Sequence, residues 1–243
     1  MSNNKAYYDE VFTKPWGKMF YDLLFPQLLE NLPSSGKVLD FGSGFGKTVH
    51  FLHENGFDVT AYEPDEEKLS YLSNQPYKQI TGNFEQFKTQ ISGQKFDIIL
   101  IHNVLEYVAE RNEILNFLLS NLTENGILSI VKHIKNGQIM RWATNFDQPK
   151  IAREILQNKP FNSINHGEIK VYDNQELIAN ENLKLLKHYG IRAFYALSQN
   201  NGIKETDEWY DEMLQLEKET AEISAFRDIA MLNHLIFQKK EKI

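Results

Sequence analysis

The sequence predicts an open, mostly parallel α/β sheet on three observations. Apolar strand-like runs near 37–41, 58–62, 77–80, 96–101 and 126–132 alternate with helical patterns, the order from which parallel sheets with crossover helices are built. The first run passes through Asp40 straight into Gly42-Ser43-Gly44-Phe45-Gly46, where closely spaced glycines let the chain turn tightly and let a ligand approach the backbone. The fourth, Phe96-Asp97-Ile98-Ile99-Leu100-Ile101, is almost unbroken apolar sequence, as expected of a strand covered by helices on both faces.

Each element has its own signal. Pro15 to Asn31 reads as an amphipathic helix with Met19, Leu23, Leu24, Leu28 and Leu29 along its stripe and Pro33 beyond its end. The second strand, Asp58–Tyr62, ends at Glu63-Pro64-Asp65. An acid therefore stands roughly 20 residues past the glycine loop, where doubly wound nucleotide sites accept ribose hydroxyls. Glu63 is that candidate; the alternative is a surface glutamate before a helix that Asp65 caps. The third strand, near Tyr77–Ile80, leads to the turn Gly82-Asn83-Phe84-Glu85, and the fourth ends at His102-Asn103-Val104-Leu105-Glu106-Tyr107. Beyond the fifth strand, residues 134–172 carry Gly137, Pro149, Pro160 and Gly167 and read as irregular, placed to form a substrate lid over the carboxyl edge. A helix from Asn174 to Lys187, a strand from Ile191 to Leu197, an acidic helix over 206–223 and a last, antiparallel strand through Leu232–Phe237 complete the expectation. In the acidic helix Trp209, Met213, Leu216 and Thr220 share one side, which reads as a solvated amphipathic cover.

The chain has 243 residues, 42% of them hydrophobic, which suits one core with an appended lid better than two full domains. The expected divisions are an N-terminal helical segment (1–34), a cofactor-binding core (35–133), a lid, substrate side and sixth strand (134–225) and the last strand (226–243). Cysteine is absent, which excludes disulfides, thiolate metal sites and a cysteine nucleophile. No apolar run approaches membrane-spanning length, so a cytoplasmic protein without membrane contact is expected. The net charge of −7 argues against coating nucleic acid through the overall field. Locally, however, residues 132–170 hold seven Lys/Arg (Lys132, Lys135, Arg141, Lys150, Arg153, Lys159 and Lys170) against three acids (Asp147, Glu154 and Glu168).

The pattern Asp40-x-Gly42-x-Gly44-x-Gly46 differs from a dinucleotide G-x-G-x-x-G, because Lys47 stands where its last glycine would. It resembles the first motif of class I S-adenosylmethionine (SAM)-dependent methyltransferases. That resemblance implies a Rossmann-like seven-stranded sheet, mostly parallel with an antiparallel last strand and a lid after the fifth strand. It also implies SAM as cofactor, bound by Asp40, Gly42, Ser43, Gly44, Gly46, Glu63, Pro64, Asn83, Phe84 and His102. Asn83 would reach the adenine amine; Phe84 would pack beside the base or belong to the core. Further segments are similar to the tRNA 5-carboxymethoxyuridine methyltransferases, which methylate the carboxylate of a modified wobble uridine: His102–Val108, Gly126-Ile127-Leu128-Ser129, Asn145-Phe146-Asp147, Val171-Tyr172, Gly190-Ile191-Arg192, Leu214-Gln215-Leu216-Glu217 and His234. Three departures fall on the cofactor tail and substrate side. Phe20 replaces an expected arginine, which Lys18 would have to substitute; His133-Ile134 replaces Tyr-Asn; and Phe161-Asn162-Ser163-Ile164-Asn165-His166 replaces a lysine-rich run.

Methyl transfer from a sulfonium is an in-line displacement on an already activated carbon, so alignment and water exclusion matter more than acid–base chemistry. A carboxylate acceptor needs no base and is selected by a cation. Arg192 is the candidate clamp, the alternative being an arginine paired with a helix carboxylate. Arg141 and Lys132 read as solvated lid charges within reach of an acceptor, and Tyr172 either donates to it or packs on the core. His102 lines the cofactor site, or serves as base if the acceptor is an amine or hydroxyl. His133 and His234 read as structural or surface residues, and no histidine or carboxylate spacing indicates a metal. The expected function is a SAM-dependent methyltransferase forming a methyl ester on a tRNA uridine, with 132–170 facing the tRNA. The alternatives are a small-metabolite methyltransferase and a SAM-binding protein without catalysis.

Overall fold

The computed structural model describes residues 3–71, 75–163 and 167–241. Seven strands form one sheet: β1 (Lys37–Phe41), β2 (Asp58–Tyr62), β3 (Lys78–Ile80), β4 (Phe96–His102), β5 (Leu122–His133), β8 (Leu183–Ile191) and β9 (Leu232–Lys239). Their order is β3-β2-β1-β4-β5-β9-β8, parallel from β3 to β5, with β9 antiparallel to both its neighbours. Because β9 runs backwards, β8 regains the direction of β5, and six strands end at the same edge. That shared carboxyl edge is where an open α/β sheet binds its ligand.

The period-two alternation of the strands sorts side chains into two layers. Val38, Ile98, Leu100 and Val131 pack with Met19, Leu23, Leu24 and Leu28 of α2 (Pro15–Asn31) and with Val49 and Leu52 of α3 (Lys47–Glu54). Leu39, Phe41, Ile99, Ile101 and Ile130 face the other way, onto Phe87 of α5 (Phe84–Gln90) and Ile114 to Leu119 of α6 (Arg111–Asn121). Leu29, expected in the α2 stripe, is 45% exposed instead.

Several expectations are corrected. Residues 134–172 are not irregular: α7 (Lys135–Thr144) and α8 (Pro149–Leu156) form a helical pair, followed by a small β6–β7 hairpin (Phe161–Ser163 with Gly167–Ile169). Ile155, Phe161 and Ile169 give this cap its own apolar cluster. Ile164, Asn165 and His166, part of the run that departs from the lysine-rich pattern, lie outside the described residues. The helix expected over 174–187 is a single turn, α9 (Gln175–Ile178), and the sixth sheet strand is β8 at 183–191, with 192–197 forming the turn after it. Leu183, Leu185, Tyr189 and Ile191 satisfy the alternation that β8 needs to pair with β9, and tertiary pairing overrides the local helix-forming composition. A further helix, α1 (Asn3–Thr13), precedes α2. It lies against the glycine loop, Tyr7 and Tyr8 both meeting Phe45, and Tyr8 stacks on Tyr71 with ring centroids 4.9 Å apart.

Candidate functional site

The loop after β1 is held by backbone hydrogen bonds from Gly42 and Ser43 to the Tyr62 carbonyl, at 2.8 and 2.9 Å. Gly42, Gly44 and Gly46 all have positive φ. The first glycine also makes room for its neighbour, since a Cβ on Gly42 would lie 2.4 Å from Val104 Cγ2. A Cβ on Gly44 would meet nothing within 4 Å, so the loop opens onto free space there. Glu63, 5% exposed at the end of β2, accepts from the Gly44 amide (2.9 Å) and from the Asp65 amide (3.1 Å), which ties the second strand to the loop. Asp65 does cap the following helix, α4 (Glu66–Ser70), and Pro64 is exposed beside it.

Asp40 is buried with Oδ1 unpaired; burial, with the Glu63 charge adding to it, pushes its carboxyl up to about 7. Ser43 Oγ and Asn103 Oδ1 are likewise buried without a partner. Unpaired polar atoms at the mouth of an open glycine loop fit a polar ligand, because such atoms are costly to leave unsatisfied. These residues fit the SAM that the loop pattern implies. Asn83 reaches the same edge as the N-cap of α5, its oxygen engaged by the Gln86 amide at 3.0 Å. Phe84 packs with Phe41, Phe87 and Phe117, the core option of its two readings.

His102, at the end of β4, is half-buried, and its Nδ1 is left without a partner. Its Nε2 lies 2.9 Å from Ser129 Oγ, which lies 2.8 Å from His234 Nε2, and His234 Nδ1 meets Gln27 Oε1 at 2.8 Å. Burial pushes His102 down to about 3 and His234 well below its ordinary value, so both rings are neutral.

Across the edge, at the end of β8, Arg192 is 7% exposed with φ 59°. It donates to the Trp16 carbonyl at 3.3 Å and approaches Met231 Sδ at 3.1 Å, while its Nε is unpartnered. The left-handed turn is fixed by Glu217 of α10 (Asp207–Thr220), a carboxylate 1% exposed that accepts from the Ala193, Phe194 and Tyr195 amides, each at 2.8 Å. The helix is otherwise the amphipathic cover expected, Trp209 and Met213 packing on the core, except that Leu216 of the expected stripe is 40% exposed. Arg141 is not a solvated charge: burial, then repulsion from Arg192, pushes it down to about 10. Neither guanidinium forms an ion pair among the described residues. Lys132, also expected in solvent, is 1% exposed and donates to the Tyr172 carbonyl (2.6 Å) and Asn174 Oδ1 (3.0 Å). Tyr172 packs on the core between Arg111 and Lys132, at 3.9 and 4.2 Å from its ring centre. Lys18 leans on Tyr210 and Asp22 with its side chain 59% exposed.

Two residues escaped the sequence reading. Glu106, buried after β4, accepts from the backbone and ring of His133 at the end of β5. Tyr7, on the unexpected α1, comes close enough to Arg192 and Tyr107 to influence their electrostatics. Neither had a motif to reveal it, since each depends on a partner distant in sequence. Among the described residues no group of histidine, cysteine or carboxylate side chains could hold a metal, and no helix is long and apolar enough to cross a membrane.

Comparison with known proteins agrees with this geometry. The methyltransferase domain family matches residues 16–182. The "Putative methyltransferase YqeM" of Bacillus subtilis is 27% identical over 148 residues, 57% of this chain; the match spans 60% of that relative's length. Among solved structures, the plantazolicin methyltransferase BpumL, in complex with a pentazolic desmethylPZN analogue and SAH (S-adenosylhomocysteine), is similar with a TM-score of 0.56 and 17% identity, over 98% of this chain and 90% of that one. A SAM-dependent methyltransferase from Mesorhizobium loti gives 0.58 and 14%, over 88% and 97%. The PH0226 protein of Pyrococcus horikoshii gives 0.59 and 12%, over 99% and 100%. The chain belongs to the methyltransferase domain family, within the class I SAM-dependent methyltransferases.

Proposed function

We propose that this chain transfers a methyl group from SAM to an acceptor anchored by an anionic group. When bound, SAM supplies a methyl carbon already activated as a sulfonium. The glycine loop with Asp40, Ser43 and Glu63 holds the cofactor, Asn83 caps its adenine end, and Arg192 with Arg141 holds the acceptor. The observation that carries the reading is a pair of guanidiniums, Arg192 buried and Arg141 half-buried, neither in an ion pair among the described residues, together with a glycine loop that opens onto free space. Buried cations without a counter-ion are costly unless a ligand supplies one.

Two acceptor classes remain in play, each with its own support. A small anionic metabolite is favoured by the burial of Lys132 and the half-burial of Arg141, which withdraw two of the seven cations from the surface that a polyanion would meet. A methyl ester on a modified tRNA uridine is favoured by the segment resemblance and by the exposed Lys150, Arg153, Lys159 and Lys170. Mass spectrometry of tRNA nucleosides and of small metabolites, from cells with and without the gene, separates them: the methylated species that vanishes identifies the acceptor. Failure of the purified protein to bind SAM or SAH in calorimetry would refute the reading as a whole.

A further inference from the structure

We infer that His133 takes the proton in the transfer step, oriented by Glu106, and that the methyl group therefore goes to a hydroxyl or amine of an acceptor whose anion Arg192 and Arg141 hold. The inference rests on the methyltransferase reading above and narrows its acceptor.

The Glu106 side chain is completely buried. Its Oε1 accepts from the His133 backbone amide at 3.0 Å and faces His133 Nδ1 at 2.9 Å. An oxygen already accepting one N–H and lying against Nδ1 assigns the proton to Nδ1, which leaves the lone pair on Nε2. Nε2 has no hydrogen bond among the described residues, and the side chain is 12% exposed, enough to meet a ligand. The place is right as well. β5 ends at His133 on the edge shared with the glycine loop, Asn103 and Arg192. Unpaired buried atoms gather on the surrounding elements: Asn103 Oδ1, Gln138 Nε2, Arg192 Nε and Glu106 Oε2 itself.

The other histidines at the sheet lack this combination. His234 spends both nitrogens on Ser129 and Gln27, His188 meets Asn233 and Asn174, and His102, whose Nε2 meets Ser129, has a free Nδ1 but no carboxylate to orient its ring. The titratable and charged groups near the dyad are Tyr107, whose ring meets that of His133, and Lys132 and Tyr172, both within electrostatic reach of Glu106, with Arg111, Asp173 and Glu176 in turn acting on Lys132. A carboxylate nucleophile would need none of this apparatus.

The step balances as follows. The acceptor's O–H or N–H bond breaks and its proton passes to His133 Nε2, while the acceptor lone pair forms the new bond to the methyl carbon. The carbon–sulfur bond breaks with its electron pair remaining on sulfur, which neutralises the sulfonium. The imidazolium then releases its proton to solvent. Glu106 is a positioning residue that fixes the tautomer and steadies the charge formed on the ring.

Two measurements test the proposal. In protein labelled with 15N-histidine and free of cofactor, NMR near pH 8 should find His133 as the Nδ1–H tautomer, with Glu106→Gln redistributing it; an Nε2–H tautomer in the native protein overturns the assignment. Purified protein with methyl-labelled SAM is then given tRNA and the low-molecular-mass fraction of cells lacking the gene. The label should enter an alkali-stable product, about 10²–10⁴-fold more slowly with His133→Ala. Added imidazole should restore part of that rate, and SAH affinity should stay within about threefold, which shows that the variant folds. An alkali-labile ester, or native turnover by His133→Ala, overturns the proposal. Absence of label from both fractions refutes the methyltransferase reading beneath it, an outcome distinct from ester formation.

Discussion

Asp40 couples the stability of the free protein to pH in a direction opposite to that of most carboxylates. Its side chain is buried with one oxygen unpaired, and burial, then Glu63, raises its pKa from 3.8 to about 7. A group whose folded value exceeds its unfolded value contributes stability that is complete below 3.8 and is lost as the pH rises to about 7. The gap corresponds to a ceiling of about 4 kcal/mol, and relaxation around the charge makes the realised figure smaller. Asp40→Asn keeps the shape without the ionisation. Free of cofactor, the variant should therefore be more stable than the native protein at pH 8, with the difference opening between pH 4 and 7. SAM brings positive charge to the same pocket and favours the ionised carboxylate, so native affinity should be about tenfold weaker at pH 6 than at pH 8 for a group titrating near 7. In Asp40→Asn that dependence should flatten and the affinity at pH 8 should fall. Urea titrations and calorimetry across the pH series measure both effects. A native protein that gains stability relative to Asp40→Asn between pH 4 and 7, or a variant with the native pH dependence of binding, would refute the reasoning.

Three further outcomes are expected. Glu63→Ala should weaken SAM binding by about 1–3 kcal/mol in calorimetry, since it removes the proposed ribose acceptor and releases the Gly44 amide it now holds. Arg192→Met should cost most of the turnover and Arg192→Lys part of it, while SAM affinity stays within about threefold; single-turnover transfer beside equilibrium binding measures the split, and joint loss of both would make Arg192 structural. Glu217→Gln should lower stability in urea by about 1–3 kcal/mol, because a side-chain NH₂ would face one of the three amides that the carboxylate now accepts. An unchanged midpoint would show that the turn after β8 holds itself.

The two halves of the site differ in how they could be read, and the difference is physical. The loop after β1 owes its shape to residues within a few positions of one another, and Glu63 comes from the adjacent strand, so glycine spacing and strand patterning sufficed. The same holds for the parallel core, where burial on both faces writes continuous apolar runs. Beyond β5 the determinants are distant. Residues 183–191 form a strand because β9 pairs with them across more than forty residues, and local composition argued for helix. Lys132 looked solvated because nothing nearby disclosed Tyr172 and Asn174 as its acceptors. Glu217 belonged to a quoted segment, but its three amide partners lie more than twenty residues upstream.

That asymmetry bears on how the acceptor site works. The cofactor loop is stiff by construction, closed by backbone hydrogen bonds and pinned through Glu63. The proposed acceptor side draws on α2, α7, the turn after β8 and the end of β5, and the last two are each held by a buried carboxylate. Glu217 fixes the turn that carries Arg192, and Glu106 fixes His133. Each is a buried carboxylate that orients a neighbouring segment, Glu217 through both oxygens and Glu106 through Oε1, and each leaves one nitrogen of the group it positions, Arg192 Nε or His133 Nε2, without a hydrogen bond among the described residues. Burying such carboxylates is costly unless their hydrogen bonds are made, so these contacts act as all-or-none determinants of position. Changes at Arg192 and His133 can then alter the acceptor while the glycine loop continues to hold the same cofactor.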